Sequence, residues 1–417
     1  MTQTPSPAAN GEPPDYGASG GFPAEVTALD EGGQNATASP SSIQKTHMLK
    51  TFGVMLAALA LVMAAFYIPM PYVVNQPGPT FDVIGANGDT PMIDITDPQS
   101  GHLDLDPVPV PNDGTGQLRM VTVAQIGGPG NRLHFVDWLL VRFDSTKEIL
   151  RYSDVYPTDV TRKDVEEQQA AQMSSSQSTA TSVALESLGM KVPATIEVVG
   201  AVAGTSADGK FEDGDILKSL TTPDGVVHEA TSADVPFATM RTVPPDSKVT
   251  ATVERAGKAV PVELTTNAVP GEPGASKLGV YLVADVDAPL DIKIHLEKVG
   301  GPSAGMIFAL GIVDRLTPGD MTGGKVIAGT GSLSFDGRVE PIGGIRQKLW
   351  GAKDDGAEWF LAPVGNCDEV LGNVPDGLNV VKVKTFQDAR DAVDAIAAGN
   401  GSTLAQCTEA DVPQSGK

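Results

Sequence analysis

The chain has 417 residues, enough for two globular domains with further segments at the ends. It carries 52 acidic against 29 basic residues, a formal net charge of −23, which argues against a nucleic-acid partner because phosphate groups would be repelled. The 5 histidines and 2 cysteines lack the spacing typical of metal ligands, so we expect neither a metal ion nor another cofactor.

The first segment of the chain is polar and of low complexity. Residues 1–44 are rich in Pro, Gly, Ser, Ala and Thr and contain hardly any large apolar side chain. Such a segment cannot bury enough surface to offset the entropy that is lost on ordering. Residues 1–48 are therefore predicted to be a disordered tail.

An apolar run follows this tail. Residues 51–81 carry no charge, which predicts a transmembrane helix over residues 49–74. The long N-terminal flank and the lack of a small-x-small site argue against a cleaved signal peptide. A buried core helix is disfavoured as well, because the run lies between the polar tail and a Pro/Gly-rich stretch, residues 75–80, that is predicted to be a linker.

The charges around the apolar run predict its orientation. Lys45 and Lys50 precede the run, and the first charge after it is the acidic Asp82. By the positive-inside rule, the tail is expected in the cytoplasm and the rest of the chain outside a single-pass cell-membrane anchor. In that oxidising compartment Cys367 and Cys407 are expected to form a disulfide, and two separate buried thiols are the alternative.

The segment after the anchor, residues 75–188, shows three local patterns. A strand is predicted over residues 119–126, a short helix or strand over 135–143, and a long polar helix over 163–188.

A β-rich segment is predicted next, over residues 189–268. Its Gly214-Asp215-Ile216 turn resembles the Gly-Asp-x-Ile turn of bacterial PDZ domains, which bind a chain end by strand addition. An inserted β-domain that binds nothing is the alternative. The other predicted elements are a strand over 194–199, a groove helix over 233–241 and a hairpin of strands 248–254 and 259–264.

The last large segment, residues 275–400, alternates strands with helices, which is typical of an α+β domain. Residues 401–417 are predicted to be a C-terminal tail. The predicted strands of this segment cover 279–284, 292–296, 325–334, 359–362 and 380–383, and the helices 306–316, 346–354 and 386–398.

Two motifs in this segment carry chemistry. Ser303 stands where a strand gives way to an apolar helix, with Pro302 expected in the first helical turn and unpaired backbone N–H groups close by. Such groups can stabilise an oxyanion in acyl transfer. Lys348 follows a Gly-Gly turn amid Ile345, Leu349 and Trp350, and burial there would lower its pKa and allow it to act as a base.

Together these motifs resemble the proteolytic domain of Lon-type proteases. The resemblance rests on Gly301-Pro302-Ser303-Ala304-Gly305, on Thr330-Gly331, and on Pro341-Ile342-Gly343-Gly344 followed by Gln347-Lys348. It implies that Ser303 is the nucleophile and Lys348 the general base, that Thr330 helps to hold the lysine, and that Gly301 and Pro302 support the serine. In one alternative interpretation the glycines only serve tight turns and Ser303 only caps a helix. In another, Ser303 is the nucleophile and His295 is the base.

The resemblance extends to the membrane-anchored branch of the family that carries a PDZ domain. It implies an α+β Lon-type proteolytic domain with a PDZ-like β-rich domain after one transmembrane helix, with residues 75–188 in the catalytic unit and a hexameric homo-oligomer. Two departures stand out. Lys298-Val299-Gly300 replaces a longer loop with an acidic residue. None of the pairs Gly209-Lys210, Gly257-Lys258 and Gly324-Lys325 is followed by the Ser or Thr of a Walker A motif.

The sequence therefore predicts an ATP-independent, membrane-anchored serine endopeptidase that acts on protein or peptide substrates. Two alternatives are a catalytically silent, membrane-tethered PDZ scaffold and a protease whose main substrate is its own linker. The presence of both Ser303 and Lys348 argues against the silent scaffold, which would need neither.

Overall fold

A computed structural model describes residues 42–87, 90–100, 116–157, 160–269, 272, 274–296 and 299–412. The chain divides into two units, residues 1–62 and residues 63–417. Of the predicted disordered tail, residues 1–48, the part up to residue 41 lies outside the described residues. The prediction is wrong for residues 42–48, which belong to helix α1.

The helices are α1 Ser42–Phe66, α2 Phe135–Val141, α3 Tyr152–Val155, α4 Arg162–Ser187, α5 Val235–Thr242, α6 Gly305–Leu316, α7 Ile345–Asp354, α8 Cys367–Val370 and α9 Phe386–Ala397. The strands are β1 Tyr72–Asp82, β2 Ala86–Asn87, β3 Thr90–Pro91, β4 Ile93–Thr96, β5 Gln117–Ile126, β6 Glu148–Arg151, β7 Ala194–Ala201, β8 Asp215–Thr221, β9 Val227–Glu229, β10 Lys248–Arg255, β11 Lys258–Thr265, β12 Asn267–Ala268, β13 Ser276–Lys277, β14 Val280–Val286, β15 Asp291–Ile294, β16 Val326–Gly329, β17 Ser332–Leu333, β18 Val339–Glu340, β19 Trp359–Pro363 and β20 Asn379–Val383.

Helix α1 contains the apolar run. Within the described residues one stretch, His47–Phe66, is long and apolar enough to cross a membrane, and its side chains are exposed. The prediction that the helix continues to residue 74 is wrong, because α1 ends at Phe66 and Val73 and Val74 are buried in β1. Pro69 and Pro71 explain the end, since proline lacks the N–H that a helix interior requires.

The first sheet lies in the second unit and has the strand order β20-β19-β16-β5-β1-β6. Strands β20, β19, β16 and β5 run parallel, and β1 is antiparallel to both β5 and β6. Residues 75–80, predicted to be a linker, are thus part of a central strand. The sheet combines strands that precede residue 152 with strands that follow residue 325.

Side chains of the first sheet alternate between its two faces, as the two-residue period of a strand requires. On one face Met120, Ile327 and Leu361 pack with α4, α6 and α9, and on the other Ala328 and Phe360 pack with α7 and α8. Helix α6 is buried over nearly its whole length. Ser303 therefore lies directly before a helix that is packed on nearly all sides.

The second sheet contains the elements that were predicted for the PDZ-like segment. Its order is β11-β10-β8-β7-β14, with β9 beside β8, and α5 supplies the buried Met240 to its apolar core. Strand β14 was assigned by sequence to the following domain, but it pairs with β7 from Val280 to Val286. The reason lies in packing, because Val280 and Leu282 contact the core of the second sheet.

The last described residues are tied to the rest of the second unit, as the expected disulfide implies. Cys407 is joined to Cys367 in a disulfide, and Ala405 accepts a hydrogen bond from the backbone of Lys382. The amine of Lys382 also pairs with Asp411 at 2.6 Å. Residues 401–412 are therefore tied to the edge of the first sheet at β20.

Candidate active site

Ser303 lies in the turn that leads into α6. The N-cap of this helix is Ala304, so Pro302 precedes the helix instead of occupying its first turn as predicted. The carbonyl oxygen of Ser303 is fixed by two donors, the N–H of Gly331 at 2.8 Å and the hydroxyl of Thr330 at 2.9 Å. The backbone of Ser303 is thus held by the chain that follows β16.

The side chain of Ser303 does not cap the helix. Within the described part of the chain its hydroxyl makes no hydrogen bond, and the N-cap residue has no side-chain cap bond. The backbone N–H groups of Ser303 and Ala304 likewise meet no acceptor among the described residues. Two free N–H groups therefore stand at the positive end of the helix dipole, where they can stabilise negative charge.

Helix α4 holds the loop in front of Ser303. The N–H of Gly301 donates to the carbonyl of Gln169 at 3.1 Å, and the hydroxyl of Ser176 donates to the carbonyl of Pro302 at 3.0 Å. Gly300 needs to be glycine because a Cβ there would collide with Gln169. Gly301 has φ of +91°, a conformation that favours glycine.

Neither Gln169 nor Ser176 was among the candidate site residues. Both lie in a polar helix with no recognisable motif, so no sequence signal distinguishes them from their neighbours.

Lys348 is presented by the first turn of α7. The preceding Gly344 has φ of +71°, and a Cβ on it would lie 2.7 Å from Val123, so only glycine lets the turn approach β5 this closely. The lysine is 3 % exposed, and its Nζ donates to Oγ1 of Thr330 at 3.1 Å. Of the predicted apolar neighbours Ile345 and Leu349 are fully buried, whereas Trp350 is half-buried.

Burial lowers the pKa of Lys348 from 10.5 to about 7, because the ammonium form loses its hydration. In the described residues no carboxylate lies within ion-pair distance of Nζ, so no negative charge opposes this shift. The amine is consequently about half neutral at neutral pH, and a neutral amine is a proton acceptor.

Ser303 and Lys348 line the same cavity. It has a volume of about 470 Å³ and is also bordered by Met173, Val299 and the stretch of β5 from Met120 to Gln125. Beyond Met120 the pairing of β5 with β16 stops, and in the described residues only β1 pairs with the second half of β5. One backbone edge of β5 is therefore open next to the cavity.

His295, the alternative base, lies elsewhere. Its side chain is exposed, and its backbone N–H donates to the carbonyl of Met92. Among the described residues that border the cavity of Ser303, His295 is absent. The loop before Ser303, in which the sequence departs from the Lon pattern, is described only in part. Val299 and Gly300 line the cavity, and Lys298 lies outside the described residues.

A second and larger cavity, here called the groove, adjoins the second sheet. Its volume is about 1520 Å³. Helix α5 contributes Phe237 and Met240 to its lining, and the start of β14 contributes Leu282. Arg338 and Val383, from the part of the chain that follows Ser303, line it as well. Helix α5 and an edge strand thus flank an open, largely apolar channel.

One segment of the chain is similar to a known protein family. Residues 284–396 match the Lon protease (S16) C-terminal proteolytic domain. Lon protease 2 of Bacillus subtilis is 38% identical over 112 residues, which are 25% of this chain and 19% of that protein.

Two further relatives match in the same way. Lon protease of Buchnera aphidicola subsp. Schizaphis graminum is 33% identical over 121 residues, covering 27% of this chain and 15% of its own. Lon protease 2 of Herpetosiphon aurantiacus is 37% identical over 106 residues, covering 24% of this chain and 13% of its own. The chain thus spans less than a fifth of the length of these relatives. What they share with it is a Lon proteolytic domain, which supports a serine protease.

Proposed function

We propose that the protein is a serine endopeptidase that hydrolyses protein or peptide substrates with Ser303 as nucleophile and Lys348 as general base. The observation that supports this most is the state of the lysine amine. It is buried, its pKa is lowered to about 7, and it lines the same cavity as Ser303. An ordinary lysine is almost fully protonated at neutral pH and could not accept a proton.

In the first half of the reaction Oγ of Ser303 attacks the carbonyl carbon, and its proton passes to Nζ of Lys348. The carbonyl oxygen becomes an oxyanion, for which the free N–H groups of Ser303 and Ala304 are the proposed donors. When the C–N bond breaks, Lys348 gives its proton to the departing amine. Water then attacks the ester on Ser303 and loses its proton to Lys348. The ester C–O bond breaks, Lys348 returns the proton to Oγ of Ser303, and the acid is released.

Thr330 supports both partners in this mechanism. Its hydroxyl donates to the carbonyl of Ser303 and accepts from the amine of Lys348, at 2.9 and 3.1 Å. The substrate backbone is proposed to add to the open edge of β5 beside the cavity, because an extended peptide can satisfy unpaired strand groups there.

The first prediction concerns hydrolysis itself. The full chain in detergent is expected to cleave fluorescein-labelled casein at the same rate with and without ATP and Mg²⁺, since the sequence has no Walker A motif. Ser303→Ala should reduce the rate by about 10⁴-fold or more, because it removes the nucleophile. Ser153→Ala, an exposed serine remote from the cavity, is the matched control and should remain fully active. Equal cleavage by Ser303→Ala and wild type would exclude Ser303 as the nucleophile, and absence of cleavage by the wild type would favour the silent scaffold.

The groove is proposed to bind an extended, apolar segment of the substrate, in the manner of a PDZ domain. Support comes from the edge strand β14, the flanking α5 and the apolar lining by Phe237, Met240 and Leu282. Backbone pairing with β14 would provide affinity, and the apolar side chains would provide selectivity.

The second prediction tests this role with two neighbouring residues. Leu282→Glu places a charge at the groove, where Leu282 also contacts the core of the second sheet, whereas Val283→Glu places it on the exposed opposite face of the same strand. Melting temperatures of both variants separate a loss of folding from a loss of binding. We expect Leu282→Glu to slow casein cleavage several-fold while a short dye-labelled peptide is cleaved as by wild type. Val283→Glu should change neither rate. Loss of both activities in Leu282→Glu, or of neither, would contradict the proposed substrate selection.

The third prediction concerns membrane anchoring. The apolar stretch His47–Phe66 and the lysines before it support a single-pass anchor with the catalytic unit outside the cell. Proteinase K added to intact cells should remove a C-terminal tag and leave an N-terminal tag on a short membrane-bound stub. A C-terminal tag that resists digestion until the cells are lysed would contradict this topology.

The homo-oligomer expected from the family resemblance stays a prediction.

A further inference from the structure

Helix α5 of the second sheet is linked to the catalytic unit by a group of ion pairs centred on Arg241. Its guanidinium contacts Asp336 at 3.0 Å, Glu272 at 2.7 Å and Glu340 at 3.8 Å. Glu272 also pairs with Arg338 at 2.7 Å. The arginine side chain is 21% exposed and that of Asp336 5%, so the central pair is shielded from solvent.

Two of the three partners of Arg241, Asp336 and Glu340, belong to one hairpin, residues 332–340, formed by β17 and β18. Ser332 pairs with Glu340 and Leu333 with Val339, and Asp336 lies at the tip. A ring contact runs beside the ion pairs, since Phe237 of α5 lies 6.1 Å from Phe335 between the ring centroids. Helix α5 thus contacts the hairpin at its tip, and Arg241 also reaches its second strand.

This hairpin is the direct covalent connection between the two halves of the candidate active site. It begins just after Thr330 and Gly331, which hold the carbonyl of Ser303, and it ends a few residues before the turn that presents Lys348. Its Val339 packs so closely on Gly331 that a Cβ on the glycine would lie 2.5 Å away. A shift of the hairpin would therefore move Thr330 relative to Lys348.

We propose that Arg241 is a positioning residue for the catalytic amine, because it fixes the hairpin that joins Thr330 to Lys348 and so couples the groove to the active site. Arg241 and Phe237 both line the groove, so a peptide bound there touches the side chains that hold the hairpin. The inference rests on the proposed Ser303–Lys348 mechanism.

The experiment uses a short dye-labelled peptide that is too small to occupy the groove and the active site together. In the full-length protein Arg241→Met should lower kcat about tenfold with little change in KM, and Arg241→Lys should recover part of the loss through one ion pair. Arg255→Met is the matched control, because Arg255 also bridges an aspartate and a glutamate, Asp215 and Glu212, but away from the hairpin. It should lower the melting temperature and leave kcat unchanged.

A double-mutant cycle sharpens the test. Asp336→Asn should lower kcat to a similar degree, and the double variant with Arg241→Met should be no worse than either single variant, because both changes break the same contact. Wild-type kcat in Arg241→Met, or an equal loss of kcat in Arg255→Met, would overturn the positioning role. Absence of cleavage by the wild-type protein would instead refute the proposed protease function.

Discussion

Lys348→Arg is expected to abolish peptide hydrolysis although it keeps the positive charge. General base catalysis contributes about 10²–10⁴-fold to a rate, and a guanidinium does not give up its proton in the range where enzymes work. Lys353→Arg is the matched control, because Lys353 lies on the same helix and donates to the carbonyl of Gly377 instead of lining the cavity. The measurement is kcat on a short labelled peptide. Wild-type kcat in Lys348→Arg would exclude Lys348 as the base.

Lys348→Met is expected to be inactive yet more stable than the wild type. In the unfolded chain the lysine has its ordinary pKa of 10.5, and in the folded protein burial lowers that pKa to about 7. Between these pH values the unfolded state binds more protons, so wild-type stability rises with pH through this window. Below pH about 7 both states are protonated and the full cost of the buried charge is present.

The size of this effect follows from the pKa difference. One pKa unit corresponds to ~1.4 kcal/mol, so the difference between 10.5 and about 7 predicts up to several kcal/mol of destabilisation at low pH. Chemical denaturation at pH 6 and pH 10 measures it. The stability gained by Lys348→Met should be large at pH 6 and should shrink towards pH 10. A Lys348→Met protein that is less stable than wild type at both pH values would show that the buried amine does not destabilise the folded protein.

The sequence predicted local elements well where periodicity and turn chemistry agree. The predicted hairpin of strands 248–254 and 259–264 corresponds to β10 and β11, which pair around Ala256 and Gly257. Ser303 and Lys348, which line one cavity, were singled out from sequence because each stands in a short motif beside glycines that the local backbone requires.

Contacts between distant segments could not be read in this way. Strand β1 was predicted to be partly membrane helix and partly linker, since its prolines and glycine hide the strand pattern. Its partner β5 is also distant in sequence, because Val123 lies opposite Pro77 and 123 − 77 = 46 residues further along the chain. Strand β14 was assigned to the wrong sheet because alternation reveals a strand but not its neighbour. Gln169, Ser176 and Arg241 could not be identified from sequence as residues that hold the site, for the same reason. Each of them contacts a partner far along the chain.

The most direct test of the Ser303–Lys348 mechanism is the pH dependence of phosphonylation of Ser303 by a fluorophosphonate probe, in which Oγ displaces fluoride from phosphorus. Labelling is expected to rise with pH through a midpoint near the lowered pKa of Lys348, about 7, since the serine loses its proton to the neutral amine. Ser303→Ala should not be labelled, Lys348→Met should be labelled far more slowly at every pH, and His295→Ala should follow the wild-type curve. A wild-type labelling rate in Lys348→Met, together with loss of labelling in His295→Ala, would contradict the lysine mechanism and make His295 the base.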